Sequence, residues 1–366
     1  MTDDRFLHHS LSMTHREQPL SNRLFPVFFI YVFVHREGEI IMQDIILQNL
    51  VSPAVLFFVL GLLAALVKSD LKFPKALSES LSIYLLAAIG LKGGIEMSKH
   101  SFATIAWPTV GTIVLGCLVP ILTFLLCRWL VIDRKNSAAL AATYGSVSIV
   151  TFGAAVQFLQ SEGIPFESYM TAMVVILETP AILISLIILR TLESREENER
   201  RQRMIDPEVL KESFFGKSII LMVGGMLVGL IAGTSAVPVV KPLFIDLYPS
   251  VLVIFLLGMG LVAGERLKEI GAYGVKLILL AVVMPLLWGT LGLVIGYWCG
   301  LSTGGMMIMG VLGASASYIA APAAIKTSIP DANPSIYIGM SLGITFPFNL
   351  IFGIPLYLEI SKYIHG

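Results

Sequence analysis

The chain has 366 residues, of which 56% are hydrophobic and only 14% are charged, well below the roughly one-quarter charged composition of soluble domains. Its 25 basic and 25 acidic residues balance, so it has no basic surface to neutralise nucleic-acid phosphates. The three cysteines lie in apolar stretches without CxxC spacing and predict neither a disulfide nor a metal site. This composition excludes a soluble fold, disfavours nucleic acid as a partner and favours an all-α integral membrane protein.

Residues 1–41 form an N-terminal extension that has the pattern of neither a membrane span nor a signal peptide. The apolar run Leu24–Val34 spans eleven residues, too few for the roughly 20 residues of a bilayer crossing. The polar residues 35–37 follow it, where a signal peptide needs small cleavage-site residues. We expect translation to begin naturally at Met42, so that the extension is not native and takes no part in the fold.

Ten apolar segments are long enough to cross about 30 Å of hydrocarbon. They predict ten transmembrane helices. Several contain Gly or Pro, which a membrane bundle tolerates because neighbouring helices can satisfy the freed backbone groups. The predicted spans are 51–67, 76–95, 104–130, 138–160, 168–190, 216–236, 246–264, 273–299, 303–326 and 335–360.

Basic residues concentrate in the loops after the odd-numbered spans. Because basic loops stay in the cytoplasm, both termini should lie outside a cell (inner) membrane that the chain crosses many times. The densely charged segment 191–215 would be a cytoplasmic linker between the five-helix units 42–190 and 216–366. It could be a solvated helical hairpin or a docking surface for a cytosolic regulator.

The two halves are related in sequence. The segment that begins GSVSIVTFGAAVQF at Gly145 resembles the one that begins GASASYIAAPAAIK at Gly313, and each continues into an Ile-Pro loop and a final proline-containing helix. Because each unit has five spans, an odd number, the second must be inverted relative to the first. Inverted repeats are typical of secondary transporters.

The fourth and ninth spans each contain a Gly/Ser-rich break. Matching breaks would bring half-helix N-termini together near the bilayer midplane, where their N–H groups and positive dipole ends favour an anion. The alternative is that Gly and Ser simply permit close helix packing. The candidate anion-binding residues are the hydroxyl groups near the breaks: Ser146, Ser148, Thr151, Ser315 and Ser317.

Glu178 lies well inside the fifth span, and a carboxylate within the membrane is costly enough to indicate function. It could be a cation ligand or a proton carrier; the alternative is a structural acid that is protonated or internally hydrogen-bonded. Its counterparts in the second half, Thr345 and Asn349, offer neutral oxygens suited to a hard cation. Lys92 and Glu96, one turn apart, are typical of an interfacial ion pair; the alternative is that they form part of a translocation path.

Enzymatic motifs are missing from the sequence. There is no HExxH zinc motif, no GxSxG elbow and no GxxxxGK[ST] phosphate loop. We therefore predict that the protein is not an enzyme and needs no cofactor. An ion gradient is the expected energy source.

Several stretches resemble the SbtA family, the cyanobacterial-type sodium-dependent bicarbonate transporters. They are MQDIILQNLVSPAVLFFVLG, IGLKGG, GSVSIVT, GIPFES with ETPA, and SIPDANPSIYIG, the most specific. The resemblance covers nearly all of residues 42–366. It implies sodium-coupled bicarbonate symport, with core helices three to five and eight to ten moving as an elevator against gate helices one, two, six and seven. It also implies a homotrimer and closure by a small PII-like cytosolic protein.

The chain departs from the family pattern at both breaks. It has Ser-Ala-Ser-Tyr at 315–318, where the family has Ser-Ser-Ser-Asp, so Tyr318 joins Glu178, Thr345 and Asn349 as a candidate sodium-binding residue. Ile149 and Val150 replace Gly and Ser, and Glu178 stands where the family has Asp. Bicarbonate or a similar small anion is the expected substrate. The alternatives are a carrier for another small monoanion and a membrane sensor that keeps the transporter fold.

Overall fold

A computed structural model describes residues 46–194, 215–270 and 274–365. The regular elements among these residues are helices, which we number in chain order. They are α1 (Pro53–Leu66), α2 (Lys75–Ser98), α3 (Phe102–Trp129), α4 (Arg134–Gly145), α5 (Ile149–Ser161), α6 (Met170–Ser194), α7 (Lys217–Ala232), α8 (Tyr248–Ile270), α9 (Val275–Trp298), α10 (Thr303–Ala314), α11 (Ala320–Ser328) and α12 (Pro334–His365). Short helical turns over residues 233–246 join α7 to α8.

The helices have the length and surface of a membrane protein. Seven helical stretches of the described chain are long and apolar enough to cross a bilayer, and α1 and α10 are shorter apolar helices. Large apolar side chains are exposed around the molecule, including Phe102 at 87% and Ile231 at 85%. Water would not tolerate so much exposed apolar surface, whereas lipid does. The protein is therefore an all-α, multi-pass membrane protein.

The described residues leave out two of the predicted segments. The N-terminal extension 1–41 lies outside them, and so does most of the linker 191–215.

Side-chain caps fix where several helices begin. Ser52, Ser101 and Ser302 each accept a hydrogen bond from a backbone N–H in the first turn of the helix that follows, satisfying a donor that has no partner within the helix. Asp133 caps α4 in the same way and accepts from the Asn136 backbone N–H at 2.9 Å. Partial burial raises the pKa of Asp133, but the hydrogen bonds from the Asn136 backbone and side chain outweigh it and hold the pKa below its ordinary value.

Glycines allow α2 and α7 to pack backbone against backbone. A Cβ at Gly94 would lie 1.9 Å from the Met226 carbonyl oxygen, and one at Gly229 would lie 2.2 Å from that of Leu91. This is the small-xxx-small packing of membrane helices, in which a missing side chain admits the neighbouring backbone. Helices α1 and α8 pack in the same manner, since a Cβ at Gly61 would lie 2.1 Å from the Leu257 carbonyl oxygen.

The remaining helices pack around α4, α5 and α10. Helix α3 lies along α4 and α6, and α9 lies along α10. The most apolar part of Arg134–Ser161 is 100% buried inside the protein, compared with 50% for Phe102–Trp129. Protein rather than lipid therefore surrounds the segment that contains the first break, so irregular backbone there can find protein partners.

Each break divides one predicted span into two helices. In the fourth span, α4 ends at Gly145 and α5 begins at Ile149. In the ninth span, α10 ends at Ala314 and α11 begins at Ala320. The tenth span, α12, stays helical throughout but widens into π-helical turns at Gly339–Thr345 and Asn349–Gly353. Pro347 lies between these turns and cannot donate a backbone hydrogen bond.

Candidate ion-binding site

The two breaks cross each other and are joined by hydrogen bonds. The Ser148 backbone N–H donates to Ser315 Oγ at 3.2 Å, and the Ser317 backbone N–H donates to the Thr143 carbonyl oxygen at 2.8 Å. Each break thus supplies an N–H group to the other. These bonds hold four half-helix ends together inside the protein.

Two of those four ends are N-termini, and at each a serine oxygen accepts a hydrogen bond from the first turn of the helix. Ser148 Oγ accepts from the Thr151 backbone N–H at 3.2 Å, and Ser317 Oγ accepts from the Ala321 backbone N–H at 3.2 Å. Both hydroxyl groups keep their own O–H for donation. The positive dipole ends of α5 and α11 therefore meet, with hydroxyl donors beside them, in a place suited to negative charge.

A small cavity of about 10 Å³ lies at the crossing, with room for about one water molecule. We name it the central cavity. Four of the nine residues predicted to bind ions line it: Ser148, Glu178, Ser317 and Tyr318. The structure thus brings two anion candidates and two sodium candidates together at one point.

Glu178 is buried, with 1% of its surface exposed. Its Oε2 makes no hydrogen bond within 3.5 Å to the described residues, although the Ser146 hydroxyl and the Val147 backbone N–H act on the carboxyl group. A buried carboxylate is expensive unless a cation, a proton or hydrogen-bond donors compensate its charge. An oxygen that lines the cavity without a protein partner is therefore available to an ion, and carboxylate oxygen suits a hard cation such as sodium.

Tyr318 connects the central cavity to a much larger one. Its buried hydroxyl has no hydrogen-bond partner among the described residues, and its ring packs edge-on against Phe346, with 5.3 Å between the ring centroids. The side chain lines both the central cavity and a cavity of about 570 Å³. Tyr318 therefore stands at the boundary between a polar pocket and a wide opening.

The larger cavity, which we name the basic-rim cavity, carries charged residues at one end. Lys75, Lys217 and Arg266 line it together with Glu79, and Lys217 Nζ pairs with Glu79 Oε1 at 2.6 Å. These residues stand at the ends of α2, α7 and α8, next to the basic loops. The cavity links the face that carries those loops to Tyr318.

The other predicted anion candidates are buried beside the central cavity but do not line it. Ser146 has a buried Oγ without a hydrogen-bond partner in the described part of the chain. Thr151 and Ser315 are each 1% exposed, and Ser315 Oγ donates to the Leu312 carbonyl oxygen at 3.1 Å. Their contacts support the crossing itself.

The remaining sodium candidates, Thr345 and Asn349, do not line the central cavity either. Thr345 Oγ1 donates to the Ala281 carbonyl oxygen at 2.6 Å and lies 2.7 Å from the Tyr144 hydroxyl. Asn349 Nδ2 donates to the Ala314 carbonyl oxygen at 2.8 Å. The Tyr357 hydroxyl donates to the other end of this amide, Asn349 Oδ1, at 3.3 Å. Both predicted neutral oxygens therefore already take part in hydrogen bonds within the protein, and neither residue joins Glu178 in lining the central cavity.

Sequence reasoning missed Ser218, which lines both the central cavity and the basic-rim cavity. It lies in the first turn of α7, a helix whose start has no side-chain cap. Because Ser218 lies close to the charged linker, the sequence pattern suggests only that it belongs to the polar end of a span. Its position opposite the breaks depends on how α7 packs against α2, which no local sequence pattern indicates.

Comparison with known proteins identifies the family. A family model of the Na+-dependent bicarbonate transporter superfamily matches residues 53–362. A search of curated proteins found no match. The family match runs from the start of α1 into the last turns of α12 and includes both breaks and Glu178. The chain therefore belongs to the Na+-dependent bicarbonate transporter superfamily.

Proposed function

We propose that the protein is a secondary active transporter that couples sodium to the symport of bicarbonate or a similar small anion. One observation carries the proposal. The N-termini of α5 and α11, each with a serine oxygen that accepts from its first turn, meet at a cavity that also holds the carboxylate of Glu178. A single pocket thus offers donors for an anion and an acceptor for a cation.

The anion would bind at the two half-helix N-termini. Ser148 and Ser317 would each donate a hydroxyl hydrogen bond while their oxygens still accept from the first turns of α5 and α11. Ser146, Thr151 and Ser315 would support the crossing around them. Backbone N–H groups and neutral hydroxyls suit a small monovalent oxyanion, because they stabilise charge without fixing the ion too tightly to release.

Sodium would bind beside the anion, held by Glu178 and the Tyr318 hydroxyl oxygen. The negative dipole ends of α4 and α10 would add favourable potential. Thr345 and Asn349 would form an outlying part of this oxygen cluster, with Asn349 fixing the last carbonyl of α10. The phenol of Tyr318 supplies one neutral oxygen in the position of a family carboxylate, so this chain would hold its sodium with one charge fewer.

Binding both ions next to each other would explain the coupling. Because the central cavity alone has room for about one water molecule, the two ions would occupy it together with the adjoining part of the basic-rim cavity. Two opposite unit charges about 4 Å apart attract by roughly 4 kcal/mol at an effective dielectric constant of about 20. Each ion therefore lowers the cost of burying the other, and the loaded pocket approaches neutrality. The free-energy cost of moving both ions together would therefore be lower than that of moving either ion alone.

The proposed architecture is ten transmembrane helices in two inverted five-helix repeats. The stretch Lys217–Leu267 counts as one of the seven membrane-compatible stretches, but its 51 residues would extend roughly 76 Å as one helix, long enough for two crossings. Helices α1 and α10–α11 supply two further spans. Both termini would lie outside the cell membrane and the linker 191–215 in the cytoplasm.

Transport would proceed by an elevator motion. The gate would consist of α1, α2, α7 and α8, whose backbones pack tightly in pairs, and the core would carry the central cavity. The basic-rim cavity lies on the face of the basic loops and would then be the cytoplasmic opening. We further propose a homotrimer surrounded by membrane lipid, with a PII-like cytosolic protein as regulator.

Uptake into proteoliposomes tests the proposal. Purified protein would be reconstituted and offered a panel of labelled small anions under an inward sodium gradient, with potassium replacing sodium as the control. We expect bicarbonate to enter fastest, and only with sodium. Equal uptake with potassium would refute sodium coupling. Faster entry of another anion would identify that anion, rather than bicarbonate, as the preferred substrate.

A further inference from the structure

A third cavity, of about 100 Å³, lies on the opposite side of the central cavity from the basic loops. It shares no lining residue with the other two cavities. Its polar lining comes from four helices: Lys92 of α2, Gln157 and Gln160 of α5, Thr171 of α6 and Tyr248 of α8. We name it the Lys92 cavity.

Lys92 is the charged side chain among the described residues that line this cavity. The ion pair predicted between Lys92 and Glu96 is wrong, because Glu96 pairs instead with Lys99 at 2.8 Å. No carboxylate in the described part of the chain lies within 4.0 Å of the Lys92 ammonium. Glu96 acts on it only at longer range. The half-buried cavity therefore holds a positive charge that no acidic side chain neutralises directly.

The groups around Lys92 are suited to donating hydrogen bonds. The cavity lies at the N-terminal ends of α6, which begins at Met170, and α8, which begins at Tyr248. Both helix dipoles therefore direct positive potential at it. Thr171, which is 2% exposed, adds a hydroxyl.

The amide of Gln157 has its Oε1 position buried without a partner in the described part of the chain. Because an amide can be rotated to exchange its oxygen and nitrogen, this group can present an N–H to a ligand. The Tyr248 hydroxyl reaches across to α5, where a Cβ at Gly153 would lie 2.7 Å from it. A side chain at position 153 would displace this donor.

We propose that the Lys92 cavity is a second anion site, which binds a small monovalent oxyanion such as bicarbonate. It lies nine residues along α5 from Ser148, roughly 13 Å at 1.5 Å per residue. A cation would be repelled here, so the site would collect the anion alone, before it reaches the pocket that also takes sodium. The identity of the anion and its approach from outside rest on the proposed function.

Binding of sodium bicarbonate to the purified full-length chain, measured by isothermal titration calorimetry at constant total sodium, tests this site. Lys92→Gln removes the charge and keeps a polar side chain, so the half-buried position should tolerate it. We expect a second, weaker binding step in the unaltered protein. That step should weaken about tenfold, equivalent to about 1.4 kcal/mol, in Lys92→Gln and be retained in Lys92→Arg.

Lys362→Gln is the matched control, because Lys362 is an exposed lysine on α12 that pairs with Glu359 at 2.7 Å. It changes the net charge equally and should leave both binding steps unchanged. Equal binding by Lys92→Gln and the unaltered protein would overturn the proposal. If Lys92→Gln fails to fold, Lys92→Met is measured in its place and judged by the same criterion.

Transport measured on the same preparations separates this inference from the proposed function. If bicarbonate binding depends on Lys92 but no bicarbonate is taken up, the Lys92 site stands and the transport proposal is refuted. If the protein takes up bicarbonate with sodium but Lys92→Gln changes neither bicarbonate binding nor KM, the transport proposal stands and the Lys92 site is refuted. The expected result is a raised KM for bicarbonate with kcat nearly unchanged.

Discussion

Gly229→Ala should weaken the pairing of α2 and α7, two helices that line both the central cavity and the basic-rim cavity. The added Cβ would lie 2.2 Å from the Leu91 carbonyl oxygen and 2.9 Å from the Ile95 nitrogen, whereas ordinary contacts begin at 3.4 Å. The helices must therefore separate by about 1 Å or distort. Overpacking of this kind costs about 1–3 kcal/mol, while alanine returns about 1 kcal/mol of helix propensity.

Gly224→Ala is the matched control for this change. It lies on the same helix, and a Cβ there would meet nothing within 4 Å. Because both variants gain the same propensity, the difference between their free energies of unfolding isolates the packing term of about 1–3 kcal/mol. Thermal unfolding in detergent, followed by size-exclusion chromatography, measures both. If Gly229→Ala unfolds no earlier than Gly224→Ala, the close packing of α2 and α7 is wrong.

Three further predictions concern the pocket and its supports. Glu178→Gln should raise the sodium concentration for half-maximal uptake at least tenfold, because a charge attraction of roughly 4 kcal/mol is lost. It should leave anion selectivity unchanged. Equal transport by the variant and the unaltered protein at every sodium concentration would contradict the assignment of Glu178 as a sodium ligand. Ser148→Ala combined with Ser317→Ala should raise the KM for the anion about thirtyfold, since the two lost hydrogen bonds contribute about 1 kcal/mol each. Unchanged kinetics would move the site elsewhere. Asp133→Ala should lower stability by about 1 kcal/mol at neutral pH. Because the pKa of Asp133 is lowered in the folded protein, its contribution to the free energy of unfolding is present above the ordinary aspartate pKa of about 3.9 and fades as the pH falls further. If Asp133→Ala and the unaltered protein differed in stability by the same amount in acid, the cap would be refuted.

The sequence predicted those features that depend on local composition. Gly/Ser runs at Gly145 and Gly313 indicated the two breaks, because glycine and serine in an apolar span are costly unless the helix is interrupted or closely packed. The burial of Glu178 could be predicted for a similar reason, since carboxylates are rare inside spans. The membrane class followed from composition alone.

Features that depend on long-range packing could not be predicted. Thr345 and Asn349 looked like free oxygens, but Thr345 Oγ1 donates to the Ala281 carbonyl, 64 residues away in sequence. Asn349 Oδ1 accepts from the Tyr357 hydroxyl. Lys92 and Lys99 are each about one turn from Glu96, so spacing alone could not choose its partner.

Simultaneous uptake of labelled sodium and labelled bicarbonate in one proteoliposome preparation tests the central claim most directly. The site predicts that each ion accelerates the entry of the other and that bicarbonate accumulates above its equilibrium level under an inward sodium gradient. It also predicts that Glu178→Gln shifts this mutual dependence to sodium concentrations at least tenfold higher. Entry of either ion at an unchanged rate without the other would contradict the claim that one pocket binds both.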